Sequence, residues 1–260
     1  MNSSETIPQP PAWDDALLRD PHAAPDKRSR VQRMFANIAP SYDLNNRLHS
    51  LGIDQLWRRK AVALAQVQTG DVIVDVACGT GDLTLQFESA RQRLGTSGRV
   101  FGIDFTFEML PPARRKTVSK AGAATFAVGD AQSLPLPDAC ADIVSIAFGI
   151  RNVANTPAAL AEFRRVLKPG GRLVILEFSL PTNPILRGLY NFYFRKILPR
   201  TATLISGDKT GAYKYLPESV NTFIGREEML TMMRSAGFER AEQHAMTFGV
   251  CICYRGFVAG

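Results

Sequence analysis

Two polar side chains, Arg151 and Asn152, follow directly on an apolar run, ADIVSIAF (141–148), that is typical of a strand buried on both faces. Burying an unpaired guanidinium costs several kcal/mol of folding free energy. The cation therefore either pairs with an acid, for which Glu177 and Asp43 are candidates, or faces a group that binds there. In the second case it could stabilise negative charge on a bound reactant.

A second candidate site lies where the β-branched stretch VIVDVA (72–77) meets the turn CGTGD (78–82). Glycines in such a turn let the backbone approach a ligand closely, and the N-terminus of the following helix offers free N–H groups. Asp104 ends the next apolar stretch, 23 residues after Gly81. A carboxylate at that position typically accepts hydrogen bonds from a ribose, so the pattern predicts a site for an adenosine-type cofactor.

The spacing of the glycines distinguishes two kinds of cofactor. A dinucleotide site requires G-x-G-x-x-G/A, and here Thr84 occupies the third position, which argues against an NAD-dependent oxidoreductase. The turn that begins at Asp75 and the GDA sequence at 129–131 instead resemble those of class I S-adenosylmethionine-dependent methyltransferases. The resemblance implies S-adenosyl-L-methionine as the cofactor. The contacts that it implies are Gly79, Thr80 and Gly81 at the methionine part, Asp104 at the ribose, and Asp130 and Ala131 at the adenine.

The elements that must position these groups alternate along the middle of the chain. Continuous apolar strands separated by helical stretches predict a parallel sheet covered on both faces. Strands are predicted at 72–77, 99–104, 125–131, 141–148, 172–179, 239–247 and 249–258. The last two fit the antiparallel pair that closes the sheet in the methyltransferases. The predicted fold class is therefore α/β, a Rossmann-like class I methyltransferase fold.

Segments outside this alternation predict the domain organisation. Residues 1–26 are polar, proline-rich and acidic, with five acids and one base, and predict a flexible tail. Residues 27–260 are predicted to form the methyltransferase domain. Within it, 27–67 predicts an N-terminal helical cap of two helices, and 180–225 predicts a mostly helical insertion that covers the substrate as a lid.

Composition restricts the class of protein. The 260 residues are 45% hydrophobic, no apolar run approaches the ~20 residues of a membrane span, and no signal peptide is visible, so a cytoplasmic protein is expected. The net charge of +7 could attract nucleic acid or anionic lipid. The basic, aromatic-rich stretch 184–200 predicts a helix that rests on an anionic membrane surface, joins the core or forms a homodimer face. The four cysteines and three histidines show no ligand spacing, so no metal is expected.

Four motifs indicate what is methylated. They are Tyr42-Asp43-x-x-Asn46 followed by Trp57, FGIRNV (148–153), RVLKPGGRLVILEFS (165–179) and YKYLPESV (213–220). Together they resemble the C-methyltransferases of menaquinone and ubiquinone biosynthesis over most of the chain, from residue 31 to residue 258. The resemblance implies a polyprenyl hydroquinone as the substrate. Demethylmenaquinol is the favoured acceptor, and the 2-methoxy-6-polyprenyl-1,4-benzoquinol of ubiquinone synthesis is an alternative or second one.

The resemblance also implies catalytic roles. It places Tyr42 beside Arg151 and Asn152, near the methyl group of the cofactor. Because a guanidinium cannot act as a direct base, Arg151 is expected to stabilise the oxyanion that forms when a ring hydroxyl loses its proton. His49 and Asp54 are alternative bases, although a capping or surface role is more typical of each. Many relatives carry His where this chain has Asp54, so a role for an imidazole there does not transfer.

Two other functions stay open at this point. A non-catalytic cofactor-binding scaffold would not need Tyr42, Arg151 and Asn152, which are all intact. An RNA methyltransferase could use the basic surface. However, FGIRN (148–152) stands where nitrogen-methylating enzymes carry Asn/Asp-Pro-Pro-aromatic, and no RNA-binding module or catalytic cysteine motif is visible, so no nucleic-acid partner is expected. Some relatives carry Ser where this chain has Ala147, so one hydroxyl contact to the cofactor is missing.

Overall fold

A seven-stranded sheet forms the centre of the protein. The computed structural model describes residues 12–95, 98–119, 123–208 and 210–260. The strands are β1 Val72–Val76, β2 Arg99–Asp104, β3 Thr125–Val128, β4 Ala141–Ala147, β5 Leu167–Phe178, β6 Glu239–Met246 and β7 Cys251–Phe257. They lie in the order β3-β2-β1-β4-β5-β7-β6, with β1 to β5 parallel and β7 antiparallel to both β5 and β6. The predicted mostly parallel sheet with a C-terminal antiparallel pair is confirmed.

Helices cover both faces of this sheet. Those in the described residues are α1 Lys27–Ile38, α2 Tyr42–His49, α3 Ile53–Ala65, α4 Asp82–Arg93, α5 Leu110–Ser119, α6 Thr156–Val166, α7 Pro184–Phe192, α8 Leu198–Ser206, α9 Ala212–Asn221 and α10 Arg226–Ser235. One face packs against α6 and α10 through side chains such as Phe163 and Met233. The other packs against α3 and α4 through side chains such as Trp57 and Phe87. Strands buried on both faces explain the continuous apolar runs in the sequence.

The order of the strands reverses at β1, which pairs with β2 on one side and with β4 on the other. In such sheets the crevice at this point, beyond the carboxyl ends of the strands, is where ligands bind. Both candidate sites lie there, because the turn 78–82 follows β1 and a 3-10 turn, Ile150–Asn152, follows shortly after β4. The two loops approach so closely that a Cβ atom on Gly149 would lie 2.6 Å from the Cβ of Ala77, so only glycine fits.

The segment before α1 differs from the expected flexible tail. Ala12, Trp13 and Leu18 are buried, and the Trp13 ring stacks on Tyr215 of α9 with the ring centroids 4.4 Å apart. The prediction for residues 12–26 was therefore wrong, because a polar average over the window concealed three apolar anchors. Residues 1–11 of the predicted tail lie outside the described residues.

The regions predicted as cap and lid pack on each other in a third core, in which Met34 and Ile38 of α1 contact the aromatic side chains of the lid. The cap region holds three helices rather than two, since α2 was not predicted. The lid helix continues through a π-helical segment, Tyr193–Ile197, into α8 and is followed by α9. None of the helices in the described part of the chain is long and apolar enough to cross a membrane.

Candidate active site

A cavity of about 100 Å³ lies at the carboxyl ends of β1, β2 and β4. Four of the six residues expected to contact the cofactor line it, namely Gly79, Asp104, Asp130 and Ala131. The other two lie outside the lining. Gly81 packs against α5, where an added Cβ would come within 3.0 Å of the Ala113 side chain. The structure thus brings the strand-end acids and one glycine together, and we call this space the cofactor cavity.

Asp104 is the acid buried most deeply beside this cavity. Its carboxylate accepts hydrogen bonds from the backbone N–H groups of Gly79 (2.7 Å) and Thr106 (2.8 Å). Burial raises the pKa of Asp104 to about 6, although both hydrogen bonds favour the charged form. Asp104 therefore holds the glycine turn in place and is half protonated at mildly acidic pH.

Asp75, the first residue of the glycine motif, does not line the cavity. Its carboxylate accepts hydrogen bonds from the hydroxyls of Thr84 (2.6 Å) and Ser145 (2.8 Å), and burial raises its pKa to about 6. It thereby joins β1, β4 and α4. Thr84, which breaks the dinucleotide pattern, thus has a structural use in this chain.

The side chain of Thr80 belongs to a charged network, the hinge network, that joins the turn to the cap. Its hydroxyl donates to Asp43 of α2 (2.5 Å) and accepts from the ammonium of Lys116 on α5 (3.1 Å). Lys116 also pairs with Asp43 (2.6 Å) and Asp82 (2.8 Å), and Asp82 pairs with Arg47 of α2 (2.9 Å). The acid that the sequence offered as a partner of Arg151, Asp43, is therefore engaged elsewhere.

A second and larger cavity of about 400 Å³ lies between the cap and the lid, and we call it the substrate cavity. Most of its lining is aromatic or aliphatic. The residues with polar groups are Tyr42, Asn46, His49, Ser50, Asp54, Trp57, Arg58, Arg151, Tyr190, Tyr193, Tyr213, Tyr215 and Thr247. Phe35, Tyr42 and Phe148 line both cavities, so these three side chains form a common wall.

Arg151 lines the substrate cavity and is only 5% exposed. Its Nη1 donates to the carboxylate of Glu177 (2.5 Å) and to the carbonyl of Phe148 (2.9 Å), and its Nε donates to the hydroxyl of Ser219 (3.3 Å). Burial disfavours the charged guanidinium, but the Glu177 carboxylate together with Tyr215 and Tyr42 outweighs this effect and raises the pKa of Arg151. The sequence left open whether Arg151 pairs with an acid or faces a bound group. The structure shows that it has an acidic partner, Glu177.

Asn152, the next residue, lines the cofactor cavity instead. Its amide donates to the carbonyl of Phe148 (3.2 Å), and its side-chain oxygen accepts from the hydroxyl of Tyr215 (2.9 Å). Arg151 and Asn152, which are consecutive in the chain, therefore lie on opposite sides of the common wall. Tyr215 was missed as a site residue, although it lies in the motif 213–220 that marks the family.

Tyr42 lies in the common wall, and its accessible surface faces the two cavities. Burial raises the pKa of its phenol, while the positive charges of Arg58 and Arg151 oppose that rise. The phenol is therefore neutral at physiological pH and can donate a hydrogen bond. The structure thus places Tyr42 in the wall, Arg151 on its substrate side and Asn152 on its cofactor side.

The two alternative bases also line the substrate cavity, but their polar atoms are engaged. The ring nitrogens of His49 lie 2.9 Å from the carbonyl of Asn45 and 2.8 Å from the hydroxyl of Thr201. The carboxylate of Asp54 accepts from Arg47 (2.8 Å), Gln55 (2.7 Å) and Ser50 (2.8 Å). These bonds agree with the structural roles that the sequence favoured for both residues.

Sequence reasoning also gave no role to Lys27, the first residue of α1. Its ammonium is buried and donates to the carbonyls of Arg151 (2.8 Å) and Val153 (2.7 Å). Burial lowers the pKa of Lys27 to about 8. Its charge fixes the loop after β4, and only the start of an amphipathic helix could have drawn attention to it.

The sheet order, the crevice and the acid after β2 define a class I methyltransferase fold, and solved structures share it. A putative methyltransferase of Haloferax volcanii, solved with the Trm112 methyltransferase activator, matches with a TM-score of 0.60 at 21% identity over 87% of this chain and 98% of the other. A Thermotoga maritima SAM-dependent methyltransferase matches with a TM-score of 0.58 at 20% identity over 87% of this chain and 99% of the other.

Sequence comparisons narrow the class to one family. The model of the ubiE/COQ5 methyltransferase family matches residues 24–258. A demethylmenaquinone methyltransferase of Deinococcus radiodurans is 46% identical over 86% of this chain and 91% of its own length. A ubiquinone/menaquinone biosynthesis C-methyltransferase of Geobacter sulfurreducens is 44% identical over 89% of each chain. The chain belongs to the ubiE/COQ5 methyltransferase family, whose methyl donor is S-adenosylmethionine.

The residues at the cofactor cavity fit this donor. Asp104 and Asp130 place two carboxylates beside the cavity, where they can accept hydrogen bonds from hydroxyl and amino groups. Gly79 has a φ of +55°, and an added Cβ would meet nothing closer than Tyr42 at 3.9 Å, so its backbone is open to a ligand. Arg28 of α1 forms an ion pair with Asp130 (2.9 Å) at the edge of the site.

Proposed function

We propose that this protein transfers the methyl group of S-adenosylmethionine to a ring carbon of a polyprenyl hydroquinone. Demethylmenaquinol is the favoured acceptor, and 2-methoxy-6-polyprenyl-1,4-benzoquinol is the alternative or a second acceptor. The names of the relatives in Deinococcus and Geobacter support both. The observation that carries the proposal is the common wall, because it places a large aromatic cavity directly beside the cofactor cavity.

The chemistry requires negative charge on the ring. A ring carbon becomes nucleophilic when the neighbouring hydroxyl loses its proton, since the oxyanion delocalises into the ring. S-adenosylmethionine supplies an electrophilic methyl group when it is bound. The ring carbon gives an electron pair to the new carbon–methyl bond as the methyl–sulfur bond breaks, and the proton of that carbon then leaves to restore the aromatic ring. A nearby cation and hydrogen-bond donors lower the barrier to this transfer.

Tyr42 in the common wall and one residue on each side of it, Arg151 and Asn152, suit these needs. Arg151 holds a buried positive charge at the substrate side and cannot itself take the proton, so a water that it orients would do so. Tyr42 can donate its phenolic proton in a hydrogen bond to a ring oxygen. Asn152 is oriented by Tyr215 and supports the cofactor side of the wall.

Exposed apolar side chains near the substrate cavity support action at a membrane. On α7, Ile185, Leu189 and Phe192 share one helix face and are each at least 60% exposed. Leu44, Leu48 and Leu51 recur with the same spacing along α2 and just after it. The two helices lie close, since the hydroxyl of Tyr193 donates to the carbonyl of His49 (3.2 Å).

We propose that these two stripes rest on an anionic membrane, so that a prenyl tail stays in lipid while its ring enters the cavity. Exposed Arg187, Lys196 and Arg200 would face the headgroups. The protein would then act on the inner face of the cytoplasmic membrane. A homodimer that buries the same stripes is the alternative.

The test is a methyl-transfer assay with labelled S-adenosylmethionine and the reduced forms of a demethylnaphthoquinone and a methoxybenzoquinone in detergent micelles. Label on the naphthoquinol alone supports a menaquinone enzyme, and label on both supports a dual one. If the cofactor binds and neither quinol is labelled, the proposal is overturned.

A further inference from the structure

A second buried arginine, Arg58 of α3, lines the substrate cavity. It is 6% exposed, and its guanidinium carbon lies 5.1 Å from the centroid of the Phe148 ring. Phe148 is one of the three side chains of the common wall. Arg58 therefore places a positive charge against the partition between the two cavities, although nothing in the sequence beyond its position after Trp57 pointed to it.

Arg58 has no close hydrogen-bonding partner of the kind that a buried arginine normally has, although its charge interacts with the carboxylates of Asp54 and Asp82. It makes no hydrogen bond among the described residues, and its Nε is buried without an acceptor. The nearest carboxylate oxygen, Oδ2 of Asp54, is 3.7 Å away and already accepts from Arg47 and Gln55. A buried cation in this state is costly, because its desolvation is repaid only by a distant ion pair and an aromatic face.

Arg151 has the opposite environment. The guanidinium of Arg151 donates hydrogen bonds to a carboxylate, a backbone carbonyl and a hydroxyl. The carboxylate is that of Glu177, which therefore neutralises the charge of Arg151 at close range. The charge of Arg58 reaches the common wall, since it lowers, against the effect of burial, the pKa of the Tyr42 phenol, as the charge of Arg151 also does. An anion at the common wall would thus gain more from Arg58 than from Arg151.

We propose that Arg58 is the cation that stabilises the oxyanion of the bound hydroquinone, while the ion pair of Arg151 with Glu177 holds the shape of the cavity. This inference rests on the proposed function and assigns the oxyanion-stabilising role to a different arginine. The Arg58 guanidinium, whose Nε lacks a hydrogen-bond acceptor, would acquire one when the ring oxygen arrives. Other charged or titratable groups around the cavity are His49, Asp54 and the tyrosines Tyr42, Tyr190, Tyr193, Tyr213 and Tyr215.

The experiment measures the ionisation of a coloured naphthol, 4-nitro-1-naphthol, bound to the protein in the presence of S-adenosylhomocysteine. A nearby cation lowers the apparent pKa of the bound probe, so Arg58→Gln should raise it by about one pH unit or more. In the quinol assay the same variant should lose ~10²–10³ in kcat. Arg59→Gln, on the exposed side of α3, is the matched control and should change neither quantity.

Further variants keep the result decisive. Arg58→Met, which keeps a flexible, unbranched side chain without its charge, replaces Arg58→Gln if that protein does not fold. Arg58→Lys keeps the charge and should titrate the probe near wild type. The inference is overturned if Arg58→Gln and Arg58→Met leave the titration of the probe unchanged. It is overturned equally if the double variant Arg151→Gln/Glu177→Gln raises the apparent pKa of the probe more than they do.

The naphthol titration separates this inference from the proposed function, because it needs no methyl transfer. An Arg58-dependent titration in a protein that methylates neither quinol would overturn the proposed function alone. If a quinol is methylated but the apparent pKa of the bound probe does not depend on Arg58, only the present inference is overturned.

Discussion

The cofactor cavity and the substrate cavity share a wall but are built in different ways. The cofactor cavity is formed largely by the ends of strands and the turns after them, including Gly79, Asp104 and 129–132. The substrate cavity is formed by helices from both halves of the chain, from Met34 in α1 to Leu216 in α9. The first therefore depends on local turn geometry, and the second depends on how distant helices pack.

The two cavities also differ in charge. The cofactor cavity is lined by two carboxylates, Asp104 and Asp130, and one guanidinium, Arg28, which pairs with Asp130. The substrate cavity is lined by two guanidinium groups and one carboxylate, those of Arg58, Arg151 and Asp54, so it has the more positive lining. This separation suits a reaction that joins a cationic donor to an anionic acceptor, since each cavity favours the charge of its own ligand. Substitutions that alter one side should therefore leave binding on the other side largely intact.

The largest effect is expected from breaking the ion pair on the substrate side. Arg151→Gln leaves Glu177 buried without its cation and should lower the free energy of unfolding by about 3–5 kcal/mol. The double variant Arg151→Gln/Glu177→Gln should recover most of that loss, because no charge is left unpaired. Urea unfolding of the four proteins in this cycle measures the effect. A double variant as unstable as Arg151→Gln would show that the pair is not what stabilises the wall.

On the cofactor side, Asp104→Asn should weaken S-adenosylmethionine binding about 10²-fold, the equivalent of one charged hydrogen-bond acceptor. Because the pKa of Asp104 is about 6 in the folded protein, wild-type affinity should fall as the pH drops below 6. The free energy of unfolding of the cofactor-free protein should change in the opposite direction and fall as the pH rises. The folded pKa lies above the ordinary value, so ionisation costs stability as the pH rises through about 4 to 6.

Calorimetric titration between pH 5 and 7.5 distinguishes wild type from Asp104→Asn, whose affinity should no longer depend on this ionisation. Asp138→Asn is the control, since the Asp138 side chain is 78% exposed and remote from both cavities. An unchanged pH dependence in Asp104→Asn would remove Asp104 from cofactor binding.

A smaller effect is expected at the hinge network. Burial would raise the pKa of Asp82, but the charges of Arg58, Lys116 and Arg47 outweigh it and lower this pKa to about 2. The resulting stability, about 2 kcal/mol, is present above pH 4 and lost as the pH falls through 2. Asp82→Asn should be less stable at pH 7 by about this amount and less sensitive to acid. Equal acid sensitivity of the two proteins in thermal unfolding between pH 2 and 7 would contradict the assignment.

The smallest effect concerns the exposed stripe on α7. Leu189→Gln/Phe192→Gln should reduce binding to anionic vesicles about tenfold, because two apolar side chains no longer leave water. Val118→Gln, on an 80% exposed residue of α5, should not. Vesicle sedimentation measures both. Wild-type protein that does not sediment with the vesicles would exclude the membrane contact, and an accompanying dimer would favour the homodimer face.

Much of the fold follows from the sequence because each strand of a doubly covered sheet is a continuous apolar run. All seven predicted strands are present, with boundaries that shift most at β5, which begins at Leu167 rather than at 172. Helix α2 was not predicted. Its leucines face outward, so the sequence there shows no helical repeat of buried apolar residues. The packed segment at Trp13 was missed because its ring is buried by Tyr215, two hundred residues away in the chain.

The sequence by itself predicted the cavity that we assign to the cofactor, because most of the residues proposed to form it lie within a few positions of strand ends and adjacent strands must bring them together. It also indicated the family, through motifs that include Tyr42 and Arg151. Only the tertiary structure decided how the charges are paired. Glu177 neutralises Arg151 at close range, whereas Arg58 makes no hydrogen bond among the described residues and lies 3.7 Å from Asp54. Pairing of this kind depends on helices packed from distant segments, and no local pattern encodes which acid a buried arginine will meet.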